Sequence, residues 1–513
     1  MRIIKRNNDN ILNPTTNLQA QMKTLHNYIN GEWVKSKNSD THEVLNPANQ
    51  EILTKVPFGK DSKTDVDQAV RHAHKAYLAW KDVPTMKRVQ PLFKLKALLE
   101  THKTTLAQMI TNECGKTHNE SMGELQRAIE NVEVACGAYV MNQSEFSENI
   151  ASGIDEFMIR QPLGVCACIT PFNFPGMIPF WFLPYAIATG NAFVLKPSEK
   201  VPMTMQYVFE LIDKELDLPK GLLSMVHGGK EAVDGLLEHP DVKAISFVGS
   251  TNVAKYIYAE GTANGKRVQA QGGAKNPVVI MPDADLDTTT KIITDSVFGC
   301  AGQRCLAASV IITVGDEKGM YTEALVEAAK HRTVGYGMDK QTEMGPVISS
   351  ESKKRIENLI QIGIDEGAKP LTDGRNCEVS GFEKGNFIAP TILENPSLDG
   401  TIVQTEIFGP VMSLVHFDKL EQSIDFINRG KYGNMACIFT RDGLAARNFR
   451  SQVMAGNIGI NIGVAAPVAQ FPFSGWKESF FGDLHAQGRH SIEFFTQTKV
   501  VIERWPKDWS RKF

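Results

Sequence analysis

Cys305 follows Gly302, Gln303 and Arg304 and precedes a small apolar stretch, LAA. A thiol beside a guanidinium or a helix start is a candidate nucleophile, because a positive neighbour lowers its pKa and the thiolate is the attacking species. Most lone cysteines are buried small hydrophobes instead. Cys300, just upstream, lacks the Gly-Gln-Arg lead and serves as the internal control. Asn173 lies between two phenylalanines in TPFNFP, 170–175. Its carboxamide could donate to a developing oxyanion, or it could be a turn asparagine bonded to its own backbone. In KPSE, Lys196 and Glu199 suit a sugar diol or a solvated loop. In FVGST, Gly249 permits close backbone approach, and Ser250 suits a helix N-cap or a phosphate contact.

These segments end strand-like runs. From about 161, GVCACIT, NAFVLKP, LLSMVHG and KAISFVG alternate with helical stretches at 201–215, 230–239 and 251–261. Such alternation predicts parallel βαβ units, with ligands at the carboxyl ends of the strands. No GxGxxG occurs, so the usual dinucleotide fingerprint is absent. After about 275 a second alternation runs through PVVIMP, ASVIITVG, GNFIAPTIL, PVMSLVHF, MACIFT and GNIGIN. The apolar run 176–195 is broken by Pro179, Pro184, Gly190 and Asn191, which fits a buried helix and strand rather than a membrane span. Upstream, 25–60 reads as short strands. A helix carries Val66, Ala69, Val70, Ala73, Tyr77 and Trp80 with Thr64 as its N-cap, and 86–143 reads as further helix.

The chain has 513 residues, 42% of them apolar and 22% charged, which suits a multi-domain globular protein. A net charge of −3 gives no electrostatic case for nucleic-acid binding. Eight cysteines without a CxxC pair imply neither a disulfide framework nor a metal site, and favour a reducing compartment. Residues 1–24 are polar after a basic start, lack the apolar core of a secretory signal and read as a flexible lead-in. The expected location is the cytoplasm, or the mitochondrial matrix in a eukaryote.

TPFNFP, KPSE, FVGST, GGAK, GQRC and EIFGP occur in order, followed by FPFSGWKES at 471–479. The set resembles the NAD(P)-dependent aldehyde dehydrogenase superfamily over about 25–505. The resemblance implies an α/β fold with two doubly wound parallel-sheet domains and a small β oligomerisation element. It divides the chain into an NAD-binding domain at 25–140 and 162–274, a catalytic domain at 275–470, and oligomerisation segments at 141–161 and 487–505. It implies Cys305 as nucleophile, with Asn173 and the Cys305 N–H as oxyanion hole. Thr170, Phe172, Lys196, Glu199, Lys200, Ser250, Gly272, Glu406 and Phe408 would hold the cofactor. A carboxylate at Glu199 repels a 2′-phosphate, so NAD is favoured over NADP. Assembly as a homotetramer or dimer is implied, through a hairpin near 141–162 and a strand near 495–503 that pairs with a neighbouring subunit.

One departure is informative. Hydrolytic members carry ELGGK, with the Glu as general base. Here QGGAK places Gln271 at that position, and an amide cannot deprotonate water near neutrality. The GAKN variant, NFPGMIPFW and LQRAIENVE are similar to the CoA-acylating methylmalonate-semialdehyde dehydrogenase subfamily. This resemblance implies coenzyme A as acyl acceptor and a carboxylated semialdehyde as substrate, with Arg127 and Arg304 binding its carboxylate. The plainer readings are a surface helix charge for Arg127 and a structural ion pair for Arg304. The rival functions are a hydrolytic NAD-dependent semialdehyde dehydrogenase and an inactive family member kept for binding or structure. No metal, membrane or nucleic-acid partner is expected.

Overall fold

The computed structural model describes residues 24–315 and 318–505, so the predicted lead-in at 1–24 lies almost wholly outside the described residues. Five parallel strands form the centre of an eight-stranded sheet. In spatial order they are Leu223–Met225, Ala192–Lys196, Val165–Ile169, Val242–Val248 and Arg267–Gln271. Val165–Ile169 and Ala192–Lys196 are buried throughout, as expected of parallel strands covered on both faces. The register pairs Ile169 with Lys196 and Val248 with Gln271. The segments TPFNFP, KPSE, GST and GGAK therefore all leave the same edge of the sheet.

A seven-stranded sheet spans 276–460, parallel except at one edge, where Lys369–Thr372 runs antiparallel to Thr391–Glu394. Asn276 opposes Ala308 at the amino ends of neighbouring strands. Residues 272–275 thus run from the carboxyl edge of the first sheet to the amino edge of the second. Cys305, three residues before Ala308 in GQRCLAA, is brought opposite TPFNFP by that crossing. Within GNFIAPTIL only Thr391–Glu394 is strand. Pro390 precedes it and has no N–H to extend the ladder.

The helix carrying Val66 spans Ser62–Trp80, with Asp61 rather than Thr64 at the N-cap position. The Ser62 hydroxyl donates to the Gly59 carbonyl, which starts the helix earlier than the apolar spacing indicated. The helical stretch 86–143 is broken at Val89, His102, Gly115 and Gly137, with Gly115 in the left-handed region at φ +91°.

Phe146–Ala151 and Ile154–Pro162 form a hairpin whose first strand is exposed throughout and whose second is mostly half-buried. Thr496–Arg504 pairs antiparallel along the whole of Ile154–Pro162. The final strand thus pairs along one edge with the chain's own hairpin, which the chain reaches through the helix Gly488–Phe494, and its other edge carries no strand among the described residues. No helix among the described residues is long and apolar enough to cross a membrane, and no described cluster of His, Cys, Asp and Glu could hold a metal.

Candidate active site

The loop before Cys305 turns through three left-handed residues, Cys300 (φ +50°), Ala301 (φ +52°) and Gly302 (φ +70°). A Cβ at Gly302 would stand 2.1 Å from the Gly409 carbonyl oxygen, so only glycine lets this loop meet EIFGP so closely. The Cys305 carbonyl accepts from Asn276 Nδ2 at 2.9 Å and from Asn434 Nδ2 at 2.8 Å. Asn173, buried, donates through Nδ2 to the Gln303 carbonyl at 3.0 Å and lies 3.6 Å from the Cys305 sulfur. Its Oδ1 has no hydrogen-bond partner among the described residues. The amide is therefore turned donor-first toward the thiol, as an oxyanion donor requires.

Burial pushes the Cys305 thiol up to about 11. The Asn173 amide works against this rise, and the nearby Glu406 adds to it. Glu406 is itself pushed up to about 7 by burial, against the Ala274 N–H that it accepts at 3.0 Å and the charges of Arg355 and Lys275. The resting group at neutral pH is the thiol. Arg304 does not activate it, contrary to the expectation from GQRC. Its guanidinium turns away to Glu120 Oε1 at 3.0 Å and the Cys300 sulfur at 3.3 Å.

A cavity of about 990 Å³ opens beside the thiol. Its wall includes Cys305, Asn173 and every residue expected to hold the cofactor: Thr170, Phe172, Lys196, Glu199, Lys200, Ser250, Gly272, Glu406 and Phe408. Lys196 Nζ pairs with Glu199 Oε2 at 3.1 Å. Burial would raise the Glu199 pKa, but Lys196 holds it below the ordinary value. Ser250 occupies the N-cap position of the helix Thr251–Ala263 without making a side-chain cap bond to it, and it lines the cavity. Phe172 and Phe408 meet edge to face at 5.9 Å, and Phe408 is held at φ +52°, rare for a bulky residue. Space, apolar walls, a carboxylate for a diol and glycines at 229, 249 and 272 together fit a dinucleotide.

Three sequence candidates stand apart from this cavity wall. Arg127 lies on the helix His118–Cys136, half exposed, and pairs with Glu130 at 3.1 Å. Arg304 is held by Glu120 as described. Gln271 is buried at the end of Arg267–Gln271, and its Nε2 has no hydrogen-bond partner among the described residues. Cys300 is buried against Arg304. Asn276 and Asn434 escaped the sequence reading. Asn276 sits in GAKN, but nothing in its spacing tells that its side chain reaches Cys305.

The aldehyde dehydrogenase family profile matches residues 33–501. The chain belongs to the aldehyde dehydrogenase family. Among its relatives, malonate-semialdehyde dehydrogenase 2 of Geobacillus kaustophilus is 47% identical over 484 residues, 94% of this chain and 99% of the relative. The malonate-semialdehyde dehydrogenase of Pseudomonas aeruginosa is 46% identical over 95% of this chain and 97% of its own. The crystal structure of methylmalonate-semialdehyde dehydrogenase from Oceanimonas doudoroffii superposes with a TM-score of 0.92 at 43% identity, covering 95% of this chain and 99% of that one. Betaine aldehyde dehydrogenase from Staphylococcus aureus, in complex with NAD+, gives 0.91 at 29% identity, with 98% and 99% covered. The two-sheet α/β fold is thus that of an aldehyde dehydrogenase.

Proposed function

We propose that this aldehyde dehydrogenase oxidises methylmalonate semialdehyde and malonate semialdehyde with NAD, and passes the acyl group to coenzyme A. The products are propionyl-CoA or acetyl-CoA, CO2 and NADH. The observation that carries the acyl transfer is Gln271, a buried carboxamide where hydrolytic relatives place their base. Support for the substrate class comes from the relatives at 43–47% identity, whose names specify a semialdehyde bearing a β-carboxylate.

In this mechanism the Cys305 thiol loses its proton, and Glu406, the buried carboxyl in the same cavity whose charge raises the thiol's pKa, is a candidate acceptor. The thiolate attacks the aldehyde carbon to form a thiohemiacetal. The Asn173 amide and the Cys305 N–H hold the developing oxyanion. The cavity residues Thr170, Phe172, Lys196, Glu199, Glu406 and Phe408 would hold NAD, which would supply the hydride acceptor, and loss of hydride from this carbon leaves a thioester on Cys305. With a carboxylate β to its carbonyl, the thioester can lose CO2. The resulting enolate is stabilised in the same oxyanion hole and takes up a proton. The CoA thiolate then displaces Cys305, which leaves as thiolate. Arg127 and Arg304 would bind the substrate carboxylate by exchanging Glu130 and Glu120 for it. The sheets at 165–271 and 276–460 would serve as cofactor and catalytic domains. The three-stranded sheet of the hairpin and final strand would join subunits into a dimer or tetramer in the cytoplasm.

The test is NADH formation by purified protein from methylmalonate semialdehyde, with and without CoA. Sustained turnover that requires CoA supports the reading, and CoA-independent turnover to free acid overturns it.

A further inference from the structure

A buried ion pair lies beneath the loop that carries Asn173. Lys116 Nζ stands 2.6 Å from Glu124 Oε2, with side chains 2% and 0% exposed. Lys116 comes from the segment after the helix Lys103–Cys114, and Glu124 from the helix His118–Cys136. Both grip the same loop. Lys116 donates to the Asn173 carbonyl and lies 3.8 Å from the centroid of the Phe174 ring. Glu124 accepts through Oε1 from the Gly176 N–H at 2.6 Å. Space is tight there, since a Cβ at Gly176 would come within 2.7 Å of Ile110 Cδ1 and 3.3 Å of Glu124 Oε1.

An ion pair so deeply buried is poor value as a stabiliser, because desolvation consumes most of the attraction. Its position suggests a different use. We infer that Lys116, paired with Glu124, is a positioning residue for the reaction: it fixes the peptide of Asn173 so that the amide faces the thiol, and its charge favours the thiolate and the oxyanion. Burial would strip the proton from Lys116, but Glu124 holds its pKa above the ordinary value. The cation acts to lower the pKa of Cys305, against the rise imposed by burial and by Glu406.

The inference rests on Cys305 as nucleophile, and the experiment separates the two. Wild-type enzyme is first alkylated with iodoacetamide, the modified site identified by mass spectrometry, and NADH formation measured. Loss of activity that does not track Cys305 modification overturns the nucleophile reading. With that in place, Lys116→Met is predicted to lower kcat about a hundredfold, in the range seen for a lost oxyanion donor, while KM for NAD stays within twofold. The alkylation rate of the cofactor-free variant at pH 8.5 should fall, because loss of the cation leaves less thiolate and the greater nucleophilicity of the more basic thiolate restores only part of the rate. Lys116→Arg keeps the charge and should hold the wild-type alkylation rate. Should Lys116→Met fail to fold, Glu124→Gln carries the test. It keeps an acceptor for Gly176 but removes the anion that holds Lys116 charged, so alkylation should slow. A Lys116→Met enzyme with lowered Tm but wild-type kcat and alkylation rate would show a merely structural pair, and an unchanged rate in Glu124→Gln would contradict the electrostatic role.

Discussion

Asn173 Nδ2 stands 3.6 Å from the Cys305 sulfur, with its Oδ1 unpaired among the described residues, so a donor and no acceptor faces the reacting atom. The two residues are far apart in the chain and meet because two sheets share one crossing segment. From this pairing and the burial of the thiol come expectations for each part of the site.

Cys305→Ala should abolish NADH formation with any aldehyde and leave NAD binding intact. Cys300→Ala should keep most activity, because its sulfur faces Arg304. The pH dependence has a definite sign. With the thiol pKa at about 11, the thiolate is the minor form at neutrality, so alkylation of Cys305 in cofactor-free enzyme should climb steadily from pH 7 to 10. A plateau near pH 7 would show a thiol already ionised.

Gly302→Ala places a Cβ 2.1 Å from the Gly409 oxygen at φ +70°. Forcing an L-residue into such backbone costs about 1–3 kcal/mol, and here the clash adds to it. Tm should fall, and NADH formation should fall further than Tm alone explains, because the loop positions both Cys305 and Glu406. Wild-type activity in Gly302→Ala would mean the two loops move apart freely.

Arg127→Ala and Arg304→Ala should each penalise a carboxylated semialdehyde far more than propanal. A lost charge-assisted hydrogen bond is worth about 1.5–3 kcal/mol, roughly ten- to a hundredfold in kcat/KM. Arg304 is the more demanding case, since it is already paired with Glu120. Equal losses on both substrates, together with a lowered Tm, would assign Arg304 to structure alone.

The hairpin sheet exposes Phe146, Ile150, Val500 and Ile502, each more than half exposed. Apolar residues on an open sheet edge are a hazard unless another surface covers them. Light scattering at micromolar concentration should give a dimer or tetramer, and Ile502→Lys with Phe146→Lys should shift it toward monomer. A wild-type monomer would contradict the expectation.

Much of this site was legible because each motif is a short stretch at one strand end. Strand alternation alone brings 170–175, 196–199 and 249–251 to one edge, and glycines flag where backbones approach. The Cys305 environment was not legible in the same way. Arg304, adjacent in sequence, turned to Glu120 and Cys300, so burial rather than a neighbouring cation decides the thiol's pKa. Asn276, Asn434, Lys116 and Glu124 act through contacts made only after the sheets and helices pack. Chain proximity gives no sign of them. The final strand's pairing with the chain's own hairpin depended on where the chain re-enters, which composition does not reveal.

In the proposed reaction Gln271 leaves the acyl-enzyme to CoA rather than to water. Rapid mixing of wild-type enzyme with NAD and methylmalonate semialdehyde tests it most directly, with NADH followed in time and the acyl product identified. Without CoA, about one NADH per active site should appear in a burst, since neither acylation nor hydride transfer needs a base at 271. Slow turnover should follow, because water lacks general-base help worth typically about 10²–10⁴-fold. Adding CoA should restore steady turnover and yield propionyl-CoA, and Gln271→Glu should raise the CoA-independent rate. Steady formation of free propionate at the same rate with and without CoA would show that water, not CoA, takes the acyl group.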